Sequence, residues 1–89
     1  MKVRFRFPAI LDLRGRIGKI AQILHPQSQV VEHKGWYTVF TPDFIAQISM
    51  TTLTVYAPDL KTLQKAVVRL KSVFNLEGIE VEKVEVDEE

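Results

Sequence analysis

The sequence predicts an α+β fold in two layers: one antiparallel sheet with two helices on one face, in the order β-α-β-β-β-β-α-β. Two observations carry this prediction. Residues 51–74 pass from a strand pattern through a turn into a long helical pattern, and residues 29–50 hold three further strand-like runs after an earlier helical one. A chain of 89 residues is enough for one core. Residues 1–89 are therefore a single domain, with an acidic last strand and tail at 77–89.

The strand and helix within residues 51–74 are the clearest elements. Apolar side chains alternate with hydroxyl-bearing ones over residues 52–57, which is the pattern of a half-buried strand. Pro58 ends that strand. Asp59 occupies the N-cap position of a helix whose apolar residues recur at helical spacing as far as Phe74, and Gly78 marks its end.

The N-terminal segment predicts a strand over residues 2–7, in which an apolar face alternates with a cationic row of Lys2, Arg4 and Arg6. Helical spacing follows over residues 12–24, although Gly15 and Gly18 each destabilise a helix by about 1 kcal/mol relative to alanine. Two alternatives stay open here. One helix begins at the cap Asp12, or a short helical turn breaks at Gly15 and a second helix begins near Gly18.

Residues 29–50 are typical of an antiparallel meander, with turns at 34–35 and 41–43. In its third strand, residues 44, 46, 48 and 50 share the face that we expect in the core. Residues 79–86 predict the last strand, but the apolar positions change phase between Val81 and Val84. A bulge near Glu82 restores a common face.

Charge is divided along the chain. Residues 1–76 contain eleven Lys and Arg against four Asp and Glu, whereas residues 77–89 contain one Lys against seven acids. A basic body favours phosphate-bearing or acidic partners, including RNA or DNA. The alternative is that the acidic tail folds back and neutralises the protein's own body.

Composition excludes several classes of protein. The absence of cysteine excludes disulfides and thiolate metal sites and suits a reducing cytoplasm. No apolar run approaches the roughly 20 residues that a spanning helix needs, so we expect no membrane insertion. His25 and His33 have no accompanying carboxylate cluster, and the serines lack a nucleophile motif. We therefore expect a cytoplasmic protein that is not an enzyme and has no cofactor, metal site or catalytic residue.

Residues 15–18 raise the possibility of backbone recognition of a phosphate. Gly15 and Gly18 form a GxxG pattern with the basic residues Arg16 and Lys19, and it resembles the clamp of KH RNA-binding domains. A Walker loop is excluded, because it needs four residues between its glycines. The alternative interpretation is a plain kink in the helix.

Two further surfaces are candidate binding sites. The cationic row of the first strand can share an open sheet face with Thr52, Thr54 and Tyr56, and with Trp36 or Phe40, as single-stranded nucleic acid requires. The alternative is a solvated face whose cations pair across strands with Glu80, Glu82 or Glu85. The outside of the second helix carries a row of three cations, Lys61, Lys65 and Arg69. This row is either an ordinary solvated surface or a docking site for a partner.

One resemblance rests on residues 3–8 and 53–74. The spacing in Leu53-Thr54-Val55-Tyr56-Ala57-Pro58-Asp59-Leu60-Lys61-Thr62-Leu63, after a first strand that ends Phe7-Pro8, resembles the small dimerising subunit of the KEOPS tRNA-modifying complex. This resemblance implies a non-catalytic module that pairs with a similar chain and docks on a larger subunit. Gln64 and Val68 replace residues that the family tends to carry in its second helix.

Gln64-Lys65-Ala66-Val67-Val68-Arg69-Leu70 resembles the second helix of one half-repeat of the TATA-binding protein, whose element order is also strand, helix, four strands, helix. This second resemblance implies kinship of fold and a nucleic-acid-binding sheet as an alternative function. The phenylalanine that this family wedges into DNA aligns with Gln47, so minor-groove kinking does not carry over.

The predicted architecture has a consequence for assembly. Ile45 and Tyr56, with Trp36 or Phe40, expose an apolar patch on the face that the helices leave open, and Thr54 is a further candidate interface residue on that face. We therefore expect a homodimer, or a heterodimer with a similar small chain, and possibly a larger protein complex.

Overall fold

The computed structural model describes residues 1–87 as six strands and two helices. Their bounds are β1 (Lys2–Arg6), α1 (Leu13–Leu24), β2 (Gln29–Glu32), β3 (Trp36–Phe40), β4 (Ile45–Ser49), β5 (Thr52–Tyr56), α2 (Leu60–Glu77) and β6 (Lys83–Asp87). The strands form one sheet in the order β2-β3-β4-β5-β1-β6, and every neighbouring pair is antiparallel. The predicted α+β class and element order are confirmed.

The strand order places β1 between β5 and β6, although it comes first in the chain. Counting antiparallel steps shows that β1 runs parallel to β2, and β5 parallel to β6. Parallel strands need a crossover connection. Helix α1 supplies it between β1 and β2, and α2 supplies it between β5 and β6.

The core lies between the two helices and one face of the sheet. Its fully buried side chains come from both layers: Ile20, Leu24, Leu70 and Val73 from the helices, and Val39, Ile48, Leu53 and Val55 from the strands. The ring of Phe74 in α2 lies 5.1 Å from that of Phe5 and 6.0 Å from that of Phe7. This aromatic cluster joins α2 to the first strand.

Helix α2 begins and ends as its sequence predicts. The Asp59 side chain accepts a hydrogen bond of 2.8 Å from the backbone N–H of Thr62, and Gly78 adopts the left-handed conformation with a φ of 67°. No helix within residues 1–87 is long and apolar enough to cross a membrane.

Helix α1 is continuous, so the alternative of a break at Gly15 is wrong. Asp12 occupies the N-cap position, but its side chain makes no capping hydrogen bond and its backbone is left-handed, with a φ of 53°. The Asp12 carboxylate instead lies directly against Gly15, where a Cβ atom would meet it. The glycine therefore makes room for the carboxylate.

Two details of the strands differ from the prediction. Met50 is exposed in the turn between β4 and β5 and does not contribute to the core. The last strand begins at Lys83 rather than Ile79. Lys83 is the register partner of Arg6, and the N–H of Glu82 also donates to the Arg6 carbonyl at 2.8 Å. Glu82 and Lys83 thus lie opposite the single residue Arg6, which defines a β-bulge at the predicted place. Glu88 and Glu89 lie outside the described residues.

Gly18 offers a test of the α1 helix. A Cβ atom there meets nothing within 4 Å, and the residue is exposed inside the helix. Gly18→Ala should stabilise the protein by about 1 kcal/mol and raise Tm by about 4–8 °C in thermal unfolding. Gly78→Ala is the control and should lower Tm, because alanine is strained at a φ of 67°. A lower Tm for Gly18→Ala would contradict a continuous helix.

Candidate functional site

The sheet face opposite the helices is the candidate site, and three rows of side chains cross it. The first row, read from the register, contains Gln29, Phe40, Ile45, Tyr56, Lys2 and Asp87. The second contains Val31, Thr38, Gln47, Thr54, Arg4 and Glu85. The third contains Trp36, Ser49, Thr52, Arg6 and Lys83. Residues four apart on a strand are separated by about 13 Å, so the first and third rows lie at opposite ends of the face.

The first row holds three neighbouring apolar side chains that are exposed on the open face. Phe40, Ile45 and Tyr56 lie side by side on β3, β4 and β5 and keep 43%, 40% and 36% of their surface exposed. The Tyr56 hydroxyl donates to Oε1 of Gln47 at 3.3 Å, which holds the ring on the face. We refer to these three residues as the apolar row. Ile45 and Tyr56 are thus on the open face, as predicted.

The cations of β1 meet carboxylates of β6 across the strand pair. Arg6 Nε lies 2.6 Å from Glu85 Oε1, and Lys2 Nζ lies 3.9 Å from Asp87 Oδ2. The hydrogen bond from Arg6 outweighs partial burial and holds the pKa of Glu85 below its usual value. Arg4 differs from its two neighbours, because its Nε donates to Oγ1 of Thr54 at 3.1 Å. Two of the three cations of this row are therefore paired with carboxylates within the sheet. The pair of Arg6 with Glu85 agrees with the predicted alternative of cations that pair across strands.

A small pocket lies across the second and third rows of the open face. It has a volume of about 260 Å³ and lies between Trp36 and Arg4. Its floor is formed mainly by polar side chains of β4 and β5: Gln47, Ser49, Thr52 and Thr54. The Trp36 ring is stacked on His33, with 3.9 Å between centroids and 22° between planes. We refer to this site as the Trp36 pocket. Thr54, predicted to be presented on this face, is nearly fully buried in its floor.

Arg16 and Lys19 do not form a loop that clamps a phosphate, because residues 15–18 lie inside α1. Both cations bind Glu77, whose side chain is only 5% exposed. Arg16 Nε and Lys19 Nζ each lie 3.3 Å from a carboxylate oxygen of Glu77, and Arg16 Nη2 donates to the Glu77 backbone carbonyl at 2.6 Å. The guanidinium thus caps the end of α2, where a cation is favourable. Sequence analysis did not identify Glu77.

The cations of α2 lie on the outer surface of the helix. Lys61, Lys65 and Arg69 are exposed, and the last two line a groove of about 590 Å³ beside His25 and Asp43. His25 Nε2 lies 3.3 Å from Asp43 Oδ2. Among residues 1–87, no group of three or more His, Cys, Asp or Glu side chains is placed to hold a metal ion.

No protein-family model matches the chain, and no curated protein matches its sequence.

Glu77 gives a pH-dependent test. Burial alone would raise the pKa of this carboxyl, but the hydrogen bonds from Lys19 and Arg16 outweigh burial and hold its pKa below the ordinary 4.5. The stabilisation is therefore complete above about pH 4.5 and is lost as the pH falls through the lower folded value. Glu77→Gln should lower the free energy of unfolding at about pH 7 by about 1–3 kcal/mol.

The same variant should lose less stability than the wild type between about pH 5 and about pH 3 in urea unfolding. Glu80→Gln, at an exposed glutamate three residues further on, is the control and should leave the curve nearly unchanged. Identical curves for Glu77→Gln and the wild type would show that the contact with α1 contributes nothing.

Proposed function

We propose that the protein is a non-enzymatic interaction module that associates through the open face of its sheet. Its partner is a second copy of itself or a similar small chain, and the pair serves as a small subunit of a larger complex. The observation that carries the proposal is the apolar row: three neighbouring strands each expose a large apolar side chain on a face that no helix covers.

A second copy suits the apolar row because the row is symmetrical about its centre. Ile45 lies between two aromatic residues, Phe40 and Tyr56. When two open faces stack with Ile45 near a twofold axis that runs along the strands, Phe40 of each copy meets Tyr56 of the other. Two sheets stacked at about 10 Å interdigitate their side chains, which removes this apolar area from water.

The resemblance in Leu53–Leu63 supports a role in a tRNA-modifying complex of the KEOPS kind, in which such a pair docks on a larger subunit. The exposed row of Lys61, Lys65 and Arg69 on α2 lies on the opposite layer, so it remains accessible when the open faces are paired. Nucleic-acid binding by the whole basic face has less support, because Lys2 and Arg6 are paired with carboxylates of β6.

Sedimentation equilibrium at micromolar concentration tests the pairing. The wild type should sediment with the mass of a dimer, because the apolar rows are buried against each other. Ile45→Glu and Tyr56→Glu should each raise the dissociation constant by at least about tenfold, since a carboxylate in a dry interface is strongly unfavourable.

Val68→Glu is the matched control, because it also places a glutamate at an exposed apolar site, but on the outside of α2, where Val68 is 65% exposed. It should leave the mass unchanged. A wild-type monomer whose solubility and mass are unaffected by Ile45→Glu would show that the face needs no partner.

A further inference from the structure

We propose that the Trp36 pocket binds a nucleotide, with the base stacked on Trp36 and the phosphate held by Arg4. The observations behind this inference are the contacts of Trp36, Arg4 and the pocket floor, and none of them requires self-association, although a copy stacked on the open face would cover the pocket. The site unites residues from β3 and β1, which the strand order brings to the same face.

Trp36 is a rigid platform for a planar ring. The residue is 37% exposed, and one face of its indole ring is covered by the stacked His33 ring. His33 Nε2 is in turn 2.7 Å from Thr38 Oγ1, which fixes the imidazole in place. A side chain already held in position loses little freedom on binding. Every nucleobase offers a π face to such a platform, whatever its sequence.

Arg4 supplies a cation suited to a phosphate. A guanidinium has five N–H donors, and the Nε donor of Arg4 is bound to Thr54 in the pocket floor. That hydrogen bond orients the side chain beside the pocket. Glu85, the register neighbour of Arg4 on β6, is bound by Arg6 at 2.6 Å. A guanidinium also carries Nη donors, whose fork geometry suits phosphate oxygens.

The floor of the pocket favours a nucleotide over an acidic peptide with an aromatic side chain. Ser49 Oγ and Thr52 Oγ1 lie 2.8 Å apart, and Gln47 adds an amide with both donors and an acceptor. The hydroxyls of Ser49, Thr52 and Thr54 already have partners, so the polar edge of a base would bond chiefly to the amide nitrogen of Gln47. An apolar side chain would cover that amide nitrogen without offering it a hydrogen bond, which is unfavourable.

The single tryptophan of the chain makes the site directly observable. Titration with UMP, AMP and single-stranded octanucleotides should quench Trp36 fluorescence, and Arg4→Gln should weaken binding by about tenfold. Arg14→Gln is the control: it removes the same charge from α1, where the side chain is 83% exposed, and should leave affinity unchanged. Tighter binding of the strands than of the mononucleotides identifies a nucleic acid, and equal binding identifies a free nucleotide.

The titrations are repeated in the Ile45→Glu variant, so that a dimer covering the pocket does not mask binding. Absence of quenching in both backgrounds would overturn the proposal, as would an equal loss of affinity in Arg4→Gln and Arg14→Gln. Quenching by a peptide of alternating Glu and Phe, but by no nucleotide, would reassign the pocket to a protein ligand. Sedimentation of the same variants reports separately on the apolar row, so failure of one proposal is distinguishable from failure of the other.

Discussion

The position of β1 between β5 and β6 determines the rest of the structure. β1 and β5 are antiparallel neighbours. The connection through α1 leads from β1 to β2 at one edge of the sheet, and the connection through α2 leads from β5 to β6 at the opposite edge. Two such connections of the same hand lie on the same face, and crossovers are nearly always right-handed. Both helices therefore cover one face, where Phe74 packs on Phe5 and Phe7, and the other face stays open. The open face is a product of topology as much as of side-chain choice.

The acidic C-terminal segment returns to the basic body and neutralises much of it. Glu77 binds two cations of α1, while Glu85 and Asp87 meet cations of β1. The division of charge along the sequence therefore does not produce separate basic and acidic surfaces. Local pairing leaves the guanidinium of Arg4 beside a hydroxyl on the open face, and it leaves an exposed cationic row on the outside of α2.

Local chemistry was readable from the sequence wherever the pattern lay within one element. The alternation in β1 and β5, the cap at Asp59 and the left-handed Gly78 all follow from residues a few positions apart. The strand order, the carboxylate pairing of Lys2 and the burial of Glu77 depend on contacts between distant segments, which periodicity does not encode. The Trp36 pocket was missed for the same reason, because Trp36 and Arg4 are 32 positions apart. The sequence shows only that His33 and Trp36 lie on either side of the turn at Gly35, and this does not predict that their rings stack.

The two ends of the open face are connected through the way in which sheets stack. A second sheet aligned within about 30° of the first and centred on the apolar row, as in the proposed dimer, would also cover the Trp36 pocket. In that arrangement a nucleotide binds only to a protein whose open face is not paired. The affinity of self-association is then lowered by nucleotide, and the affinity for nucleotide is lowered by self-association by the same factor. The Gln47 side chain, which accepts from Tyr56 and also lines the pocket, is the shortest route by which the apolar row and the pocket influence each other.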